Sequence, residues 1–409
     1  MHYRTYDPEK DKDNVRRIWQ ETGWLEKGKE EIMDTFIAAG KAIVADLDGE
    51  PECLVLSAPG TMRYLDGTLT LCAIAAVTTS RVARKRALAR RLTAQAIAND
   101  VADEGAQVAS LRMFEQGYYN QIGFGTGGYE HWLGFDPAEL HVLRRARVPR
   151  RLKVEDAAKI HAARLARKQG HGACNLPMLM TKGDLLWTDN GFGLGYYDGP
   201  QGALTHCLWA GAKDVQHGPY EISLMLYQSG EQFLELMALL KNLGDQVRLV
   251  KMREPRDIQL QDLIVQPFKQ RQMTQNSPFA AYMRASAYSQ MRICDLQACL
   301  ARTRLHVDSV RFNLALSDPI AACLDGKSPW RGVGGDYVVT LGPSSGAERG
   351  TDAALPTLTA SVGAFTRLWL GVRPASGLAV TDELAGPPAL LKQLDDVLLL
   401  PTPRPDWEF

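Results

Sequence analysis

Residues 69–91 constrain the fold of this chain more than any other stretch. They read Leu-Thr-Leu-Cys-Ala-Ile-Ala-Ala-Val-Thr-Thr-Ser-Arg-Val-Ala-Arg-Lys-Arg-Ala-Leu-Ala-Arg-Arg. The apolar, partly β-branched run 71–77 predicts a buried strand. A polar turn at 78–80 leads into a helix on which Leu88, Leu92 and Ala96 recur four residues apart. Arg84, Lys85 and Arg86 sit at the junction, followed by the small residues Ala87 and Ala89. A helix N-terminus exposes unpaired N–H groups and a partial positive charge, so it collects anions. Small residues let the backbone approach a phosphate, and the three cations reinforce the field. The pattern is that of a pyrophosphate cradle between a strand and a helix.

A second stretch, Gly117-Tyr118-Tyr119-Asn120-Gln121-Ile122-Gly123-Phe124-Gly125, follows a candidate strand at 108–113. Taken together, the two stretches resemble the GNAT acetyltransferases. In that family a strand leads to an Arg/Gln-x-x-Gly-x-Gly/Ala loop and, further on, to an aromatic-Tyr-x-x-x-Gly-Phe motif. Arg84 to Ala89 fits the first motif, with Ala87 standing where the family has glycine, and Tyr119 falls on the tyrosine of the second. The resemblance implies an acetyl-CoA site at Val77, Thr78, Thr79, Arg84, Lys85, Arg86, Ala87, Leu88, Ala89, Arg90, Phe114 and Glu115. It also implies that the Tyr119 hydroxyl protonates the departing thiolate. Tyr118 is read as a packed aromatic.

Charge supports a small anionic ligand over a long polyanion. Lys+Arg and Asp+Glu are both 47, so the cationic loop is a local feature of a neutral chain, and neither nucleic acid nor an anionic membrane is an expected partner. The seven cysteines (Cys53, Cys72, Cys174, Cys207, Cys294, Cys299, Cys323) are scattered without a Cys-x-x-Cys pair. Reduced thiols are expected, with no disulfide framework and no metal site. His206 beside Cys207 reads as a strand feature. The chain starts without a signal-peptide pattern and has no apolar run of membrane-spanning length, so a cytoplasmic protein is expected.

In chain order, a strand at 3–6 precedes a helix at 13–21 carrying Val15, Ile18 and Trp19 on one face. Strands at 41–46 and 52–57 are joined by the hairpin turn Leu47-Asp48-Gly49-Glu50. After the two motifs one more strand is expected at 129–134. Segment 22–35 is polar around Trp24 and reads either as a substrate loop or as a solvated helix with one anchoring tryptophan. A boundary is expected within the basic, proline-bearing 137–151. Beyond it come an amphipathic helix at 154–167 (Ala157, Ile160, Ala163, Leu165), strands at 192–197, 203–210 and 221–227, and a capped helix after Ser229 with the stripe Phe233, Leu236, Met237 and Leu240. A strand at 248–252 closes this unit, which has no phosphate loop. From Met291 the pattern changes: Val310, Phe312, Leu314 and Leu316 alternate, strands follow at 337–341 and 357–361, and a helix starts at Val362.

This order resembles one GNAT group, the enhanced intracellular survival (Eis) proteins, over the whole chain. The expected fold class is mixed α+β, with tandem GNAT domains followed by a sterol-carrier-protein-like domain: 1–145 with the acetyl-CoA site, 146–288 degenerate, and 289–409. In that group the terminal carboxylate enters the first domain's active site, which here implies Phe409 as general base. Trp24 and Glu408 are expected at the substrate. The implied activity is direct transfer of acetyl from acetyl-CoA to a primary amine (aminoglycoside, polyamine or lysine-like), without a metal, in a homo-oligomer that the resemblance makes a hexamer. A free alkyl amine has a pKa near ~10.4 and must lose a proton before attack, whereas a tyrosine near ~10 is matched to a thiol near ~8.5. The competing reading is a non-catalytic acyl-CoA or lipid carrier with a decayed site.

Overall fold

The computed structural model describes residues 2–267 and 274–409. Its contacts divide the chain into two units. One comprises Met1–Gly128, Gly170–Pro177 and Ala287–Phe409, and the other comprises Tyr129–Gln169 and Met178–Ser286. No helix among the described residues is long and apolar enough to cross a membrane.

The first unit begins with β1 (His2–Thr5), α1 (Lys12–Glu21), α2 (Glu30–Ile37), β2 (Lys41–Leu47), β3 (Glu50–Tyr64), β4 (Gly67–Thr79), α3 (Leu88–Glu104), β5 (Val108–Arg112) and β6 (Gly125–Thr126). As the periodicity required, α1 buries Val15, Ile18 and Trp19. The β2–β3 turn places Asp48 and Gly49 at positive φ (55° and 92°), the geometry of a tight two-residue hairpin. β3 and β4 run well beyond the expected strands. They pair from Cys53 opposite Thr79 out to Tyr64 opposite Gly67. The sequence reading missed this extension because Pro59 and Gly60 interrupt the apolar pattern. α3 presents Leu88, Leu92 and Ala96 to the core, along with Ala94 and Ile97. Its many alanines let it lie close on the sheet. Gly105, at φ 65°, ends the helix in the left-handed cap that glycine adopts without Cβ strain.

The sheet order is β1-β2-β3-β4-β5, then the strand Ser289–Ile293, then β6, with Cys174–Asn175 pairing on β3. Neighbours are antiparallel except β4 and β5, which are parallel and joined by α3. The strand expected at 129–134 does form, as Glu130–Phe135, but it pairs with Val250–Arg253 and Tyr282–Ser286 in the other unit. Ser289–Ile293 takes the place beside β5 instead. The same unit holds a five-stranded sheet built on Val310–Ser317, flanked by Gly335–Leu341 (antiparallel) and Thr357–Ser361 (parallel). Its alternating Phe312, Leu314 and Leu316 are buried as expected. The helix Val362–Trp369 begins where Ser361 accepts a hydrogen bond from the Ala364 N–H.

The second unit carries a seven-stranded sheet whose parallel pair, Tyr220–Leu226 with Val250–Arg253, is linked by the helix Gly230–Lys241. That helix buries the expected Phe233, Leu236, Met237 and Leu240. Ser229 caps it through the Gln232 N–H, while the Gln232 side chain reaches back to the Gln228 N–H (2.7 Å). The expected boundary at 137–151 lies inside this unit, where Leu140 bridges Ile264. Helix Ala157–Ala166 buries Ala157, Ile160 and Ala163, but Leu165 faces solvent and Arg164 is buried in its place, bonded to Asp184 (2.6 Å). The helix Met178–Trp187 was not anticipated.

Candidate active site

The site opens where two parallel strands part. Against β3, Leu54 is opposite Thr78 and Leu56 opposite Ala75, so Val55 faces two residues, Ala76 and Val77. This is a β-bulge, and Ala76 within it has a positive φ (54°). The bulge lies just past the last residue of β4 that pairs with β5, Ile74. Their pairing runs from Leu71–Val108 to Ile74–Leu111, and β5 ends at Arg112 while β4 continues to Thr79. A cavity of about 280 Å³ fills the opening. Ile74 to Val77 form one wall and Leu111 to Phe114 the other, and Tyr119, Trp24, Glu408 and Phe409 complete the lining.

Beyond β4 the chain makes a short 3-10 turn, Arg81–Ala83, and then the expected cationic loop. Arg84, Lys85 and Arg86 are exposed, and Lys85 and Ala87 are both left-handed (φ 61° and 57°). Ala87 is the N-cap of α3 and offers no side-chain cap, so the first-turn N–H groups are not closed off by a capping side chain. Alanine therefore adopts the conformation for which glycine is the usual residue, at a cost of about 1 kcal/mol. The methyl group does not stop the loop from adopting this left-handed conformation.

The tyrosine motif forms a 3-10 turn, Tyr119–Ile122. Gly123 follows at φ 85°, and a Cβ there would lie 2.5 Å from Val362 and 2.9 Å from the Arg292 guanidinium, so the motif's glycine is required by both conformation and space. Two alternate residues of the strand Ser289–Ile293 hold this turn. Gln290 donates to Asn120 Oδ1 (3.1 Å), and Arg292 donates to the Ile122 carbonyl. Arg292 is itself fully buried and paired with Asp318 (2.7 Å), which also accepts from the Val333 N–H (2.9 Å). Tyr119 is thereby fixed at the cavity wall. Burial pushes its hydroxyl pKa well above the ordinary phenol value, so it stays protonated across the neutral range. Tyr118 packs edge-on against Tyr119 (5.0 Å between rings), and its hydroxyl accepts from the Arg90 backbone N–H in the first turn of α3.

The last residues are laid down by the segment Gly170–Pro177. His171 accepts from the Leu65 N–H at Nδ1 (3.1 Å) and donates from Nε2 to the Leu370 carbonyl (3.0 Å), which fixes a neutral ring. Its own carbonyl accepts from the Arg404 N–H (3.0 Å), and the Cys174 N–H donates to Asp406 (3.1 Å). Gly172 has φ 85°, and a Cβ on it would press on Arg404 N at 2.7 Å. Trp407 is fully buried. So anchored, the tail delivers Phe409 to the cavity, where, like Trp24 and Ala76, it packs against the buried cluster that includes Trp19, Met33, Leu54 and Ala75. Glu408 is half exposed, with Arg112 at 4.0 Å.

Of the residues singled out in the sequence, Val77, Phe114, Tyr119, Trp24, Glu408 and Phe409 line this one cavity. Thr78, Thr79, Arg84, Lys85, Arg86, Ala87, Leu88, Ala89, Arg90 and Glu115 are not part of its lining. Thr79 bonds Cys53 Sγ (3.3 Å), Leu88 is buried in the core, and Arg90 donates to Gln121 (2.5 Å). Arg112, Gln290 and Arg292, and the anchors of the tail, were not foreseen. A buried arginine in a short strand leaves no mark in a hydropathy pattern, because its partner comes from another part of the chain. In the other unit, Asp198, His206 and Glu235 bring metal-ligand atoms within 4.8 Å of one another. There Arg147 bonds both carboxylates (2.7 Å to each), and a guanidinium thus takes the cation's place.

No family model matches the chain, and no curated protein does. Its fold is that of solved GCN5-related N-acetyltransferases. One from Anabaena variabilis is 13% identical, with complete coverage of both chains and a TM-score of 0.79. One from Kribbella flavida is 17% identical, covering 100% of this chain and 98% of its own, at 0.74. Eis1 from Mycobacterium abscessus is 16% identical over both full lengths, at 0.75.

Proposed function

We propose that this protein is an N-acetyltransferase of the Eis type that moves acetyl from acetyl-CoA to a primary amine. The observation that carries the reading is the convergence of Tyr119 and Phe409, 290 positions apart in the sequence, on one cavity at the parting of β4 and β5. The residues present fit the co-substrate. Exposed Arg84, Lys85 and Arg86 and the uncapped start of α3 suit its pyrophosphate. The edge of β4 at Val77 to Thr79, beyond the last β5 pair, suits hydrogen bonds to its pantetheine arm. Acetyl-CoA supplies an activated thioester, whose carbonyl carbon gains a bond to nitrogen as its bond to sulfur breaks.

The protein's own groups handle the protons. The Phe409 carboxylate takes one from the acceptor ammonium, directly or through water, and frees the nitrogen lone pair. The Tyr119 hydroxyl gives its proton to the departing sulfur, and its raised pKa keeps that proton available. Backbone N–H groups of the β4 edge stabilise the developing oxyanion. The proposal extends to tandem GNAT domains, the second without a cofactor site, followed by a sterol-carrier-like domain. It also extends to a cytoplasmic homo-oligomer. The matching crossover in both units, a parallel pair joined by one helix, supports the tandem reading.

Calorimetric titration with acetyl-CoA tests the cofactor site. Arg84→Ala with Arg86→Ala should weaken binding roughly 10- to 100-fold, the loss of two charge-assisted contacts of about 1.5–3 kcal/mol each being reduced by solvent at exposed positions. Absence of binding to the unsubstituted protein would remove the enzyme reading in favour of a lipid carrier.

A further inference from the structure

The acceptor chamber has a composition that narrows the amine. Its lining is apolar on nearly every side: Ile74, Leu111 and Met113 from the strands, and Trp24, Phe114 and Phe409 as aromatic walls. Glu408 is the only acidic side chain in that lining and Arg112 the only basic one, and they face each other at 4.0 Å. The terminal carboxylate, carried by Phe409, brings a further negative charge to this lining. The rim is aromatic too. Phe114 is 81% exposed, a large apolar surface left in water, and it meets Trp24 edge to face (6.2 Å, 78°). Two acids of the neighbouring segment are held in ion pairs: Asp34 with Arg16 (2.6 Å) and Lys12 (3.0 Å), and Glu26 with Lys29 (3.0 Å). The volume, about 280 Å³, is shared with the acetyl end of the co-substrate, which leaves room for a small acceptor only.

We infer that the acceptor is a small monoamine on an apolar or aromatic body, an arylalkylamine or a short alkylamine, and not a polycation. One ammonium finds one carboxylate. Each further ammonium brought into an apolar chamber would lose hydration without a partner, which is strongly unfavourable. An aryl or alkyl body instead covers the Phe114–Trp24 corner and removes apolar surface from water, where the two rings at near right angles also favour an edge-to-face third ring. The inference rests on the acetyltransferase reading above and selects among its substrates.

The test is initial-rate turnover, read as free thiol and as the mass of the acetylated product, with full-length protein and 2-phenylethylamine, hexylamine, putrescine, spermidine and kanamycin. The expected result is a kcat/KM for 2-phenylethylamine about 10-fold or more above that for spermidine or kanamycin. Phe114→Ala, at an exposed position that puts little of the fold at risk, should raise KM for 2-phenylethylamine several-fold more than it raises KM for methylamine. Arg112→Gln, by freeing Glu408, should shift the putrescine to hexylamine ratio towards the diamine by up to about five-fold. Preference for spermidine or kanamycin, or indifference to Phe114→Ala, overturns the inference and leaves the acetyltransferase reading in place. Acetyl-CoA binding without turnover of any amine overturns both.

Discussion

Deleting Phe409 separates the chemistry of the chain end from its contribution to stability. Trp407 is buried and Asp406 is tied to the Cys174 N–H at 3.1 Å, so the shortened tail cannot slide forward to compensate. The terminal carboxylate retreats by one residue, about 3.3–3.6 Å along an extended chain. Proton transfer needs heavy atoms within about 2.6–3.2 Å, or one intervening water. The displacement therefore exceeds the tolerance, and loss of a positioned base should lower kcat by about 10²–10⁴-fold, equivalent to ~2.7–5.4 kcal/mol of barrier. The structural loss is much smaller. Phe409 is half buried, so its ring contributes about half of the ~1.5–3 kcal/mol of a fully buried phenylalanine, roughly 1 kcal/mol. Against a total stability of ~5–15 kcal/mol the fold persists. Thiol-release kinetics and a thermal melt on the same samples measure both effects, and the melting temperature should fall by less than about 4 °C. Phe409→Ala is the control: it keeps the carboxylate in place, so kcat should stay within a few-fold of the parent. A deletion variant that retained a parental kcat, or an alanine variant as impaired as the deletion, would refute the carboxylate role.

The two adjacent tyrosines should separate cleanly. Tyr119→Phe should cut turnover by about 10²–10⁴-fold with acetyl-CoA affinity by calorimetry unchanged, whereas Tyr118→Phe should cost about 1 kcal/mol of stability through the lost contact with the Arg90 N–H and leave most turnover. On the alkaline side, kcat/KM should show no falling limb from Tyr119 at its ordinary value of about 10, because burial raises its pKa. Arg292→Met strands Asp318 in a buried site and should lower stability by about 3–5 kcal/mol in denaturant titrations, with kcat falling as the Tyr119 turn loosens. In the second unit, Arg147 and His206 hold the Glu235 carboxyl down to about 2 from its ordinary 4.5. A depressed carboxyl stabilises the fold above its unfolded pKa and loses that contribution as pH falls through the folded value. Glu235→Gln should therefore cost about 1.5–3 kcal/mol at neutral pH, a difference that shrinks between pH 4.5 and 2 when urea midpoints are compared.

What the sequence determined by itself is local. The run at 71–77, the cations at 84–86 and the four-residue stripe of α3 specify strand, loop and helix because each depends on nearest neighbours along the chain. The tyrosine motif was legible for the same reason, since Gly123 needs a left-handed φ wherever the turn is placed. Partner choice was not legible. A strand was expected at 129–134 without a partner being specified, and Ser289–Ile293 was not anticipated as a strand at all. Only the tertiary structure decided that the later strand lies beside β5, and with that decision came Gln290 and Arg292 to hold the Tyr119 turn. The bulge at Ala76 is likewise a property of β3 and β4 in register, since neither strand alone reveals a two-against-one pairing. The chain end was named from resemblance, but its route was not, because the bonds from His171 and Cys174 to the tail join residues more than 200 positions apart. Periodicity reports which faces of an element are apolar. Which element covers each face is settled by packing the whole unit at once, and the candidate site lies where that packing leaves β4 and β5 apart.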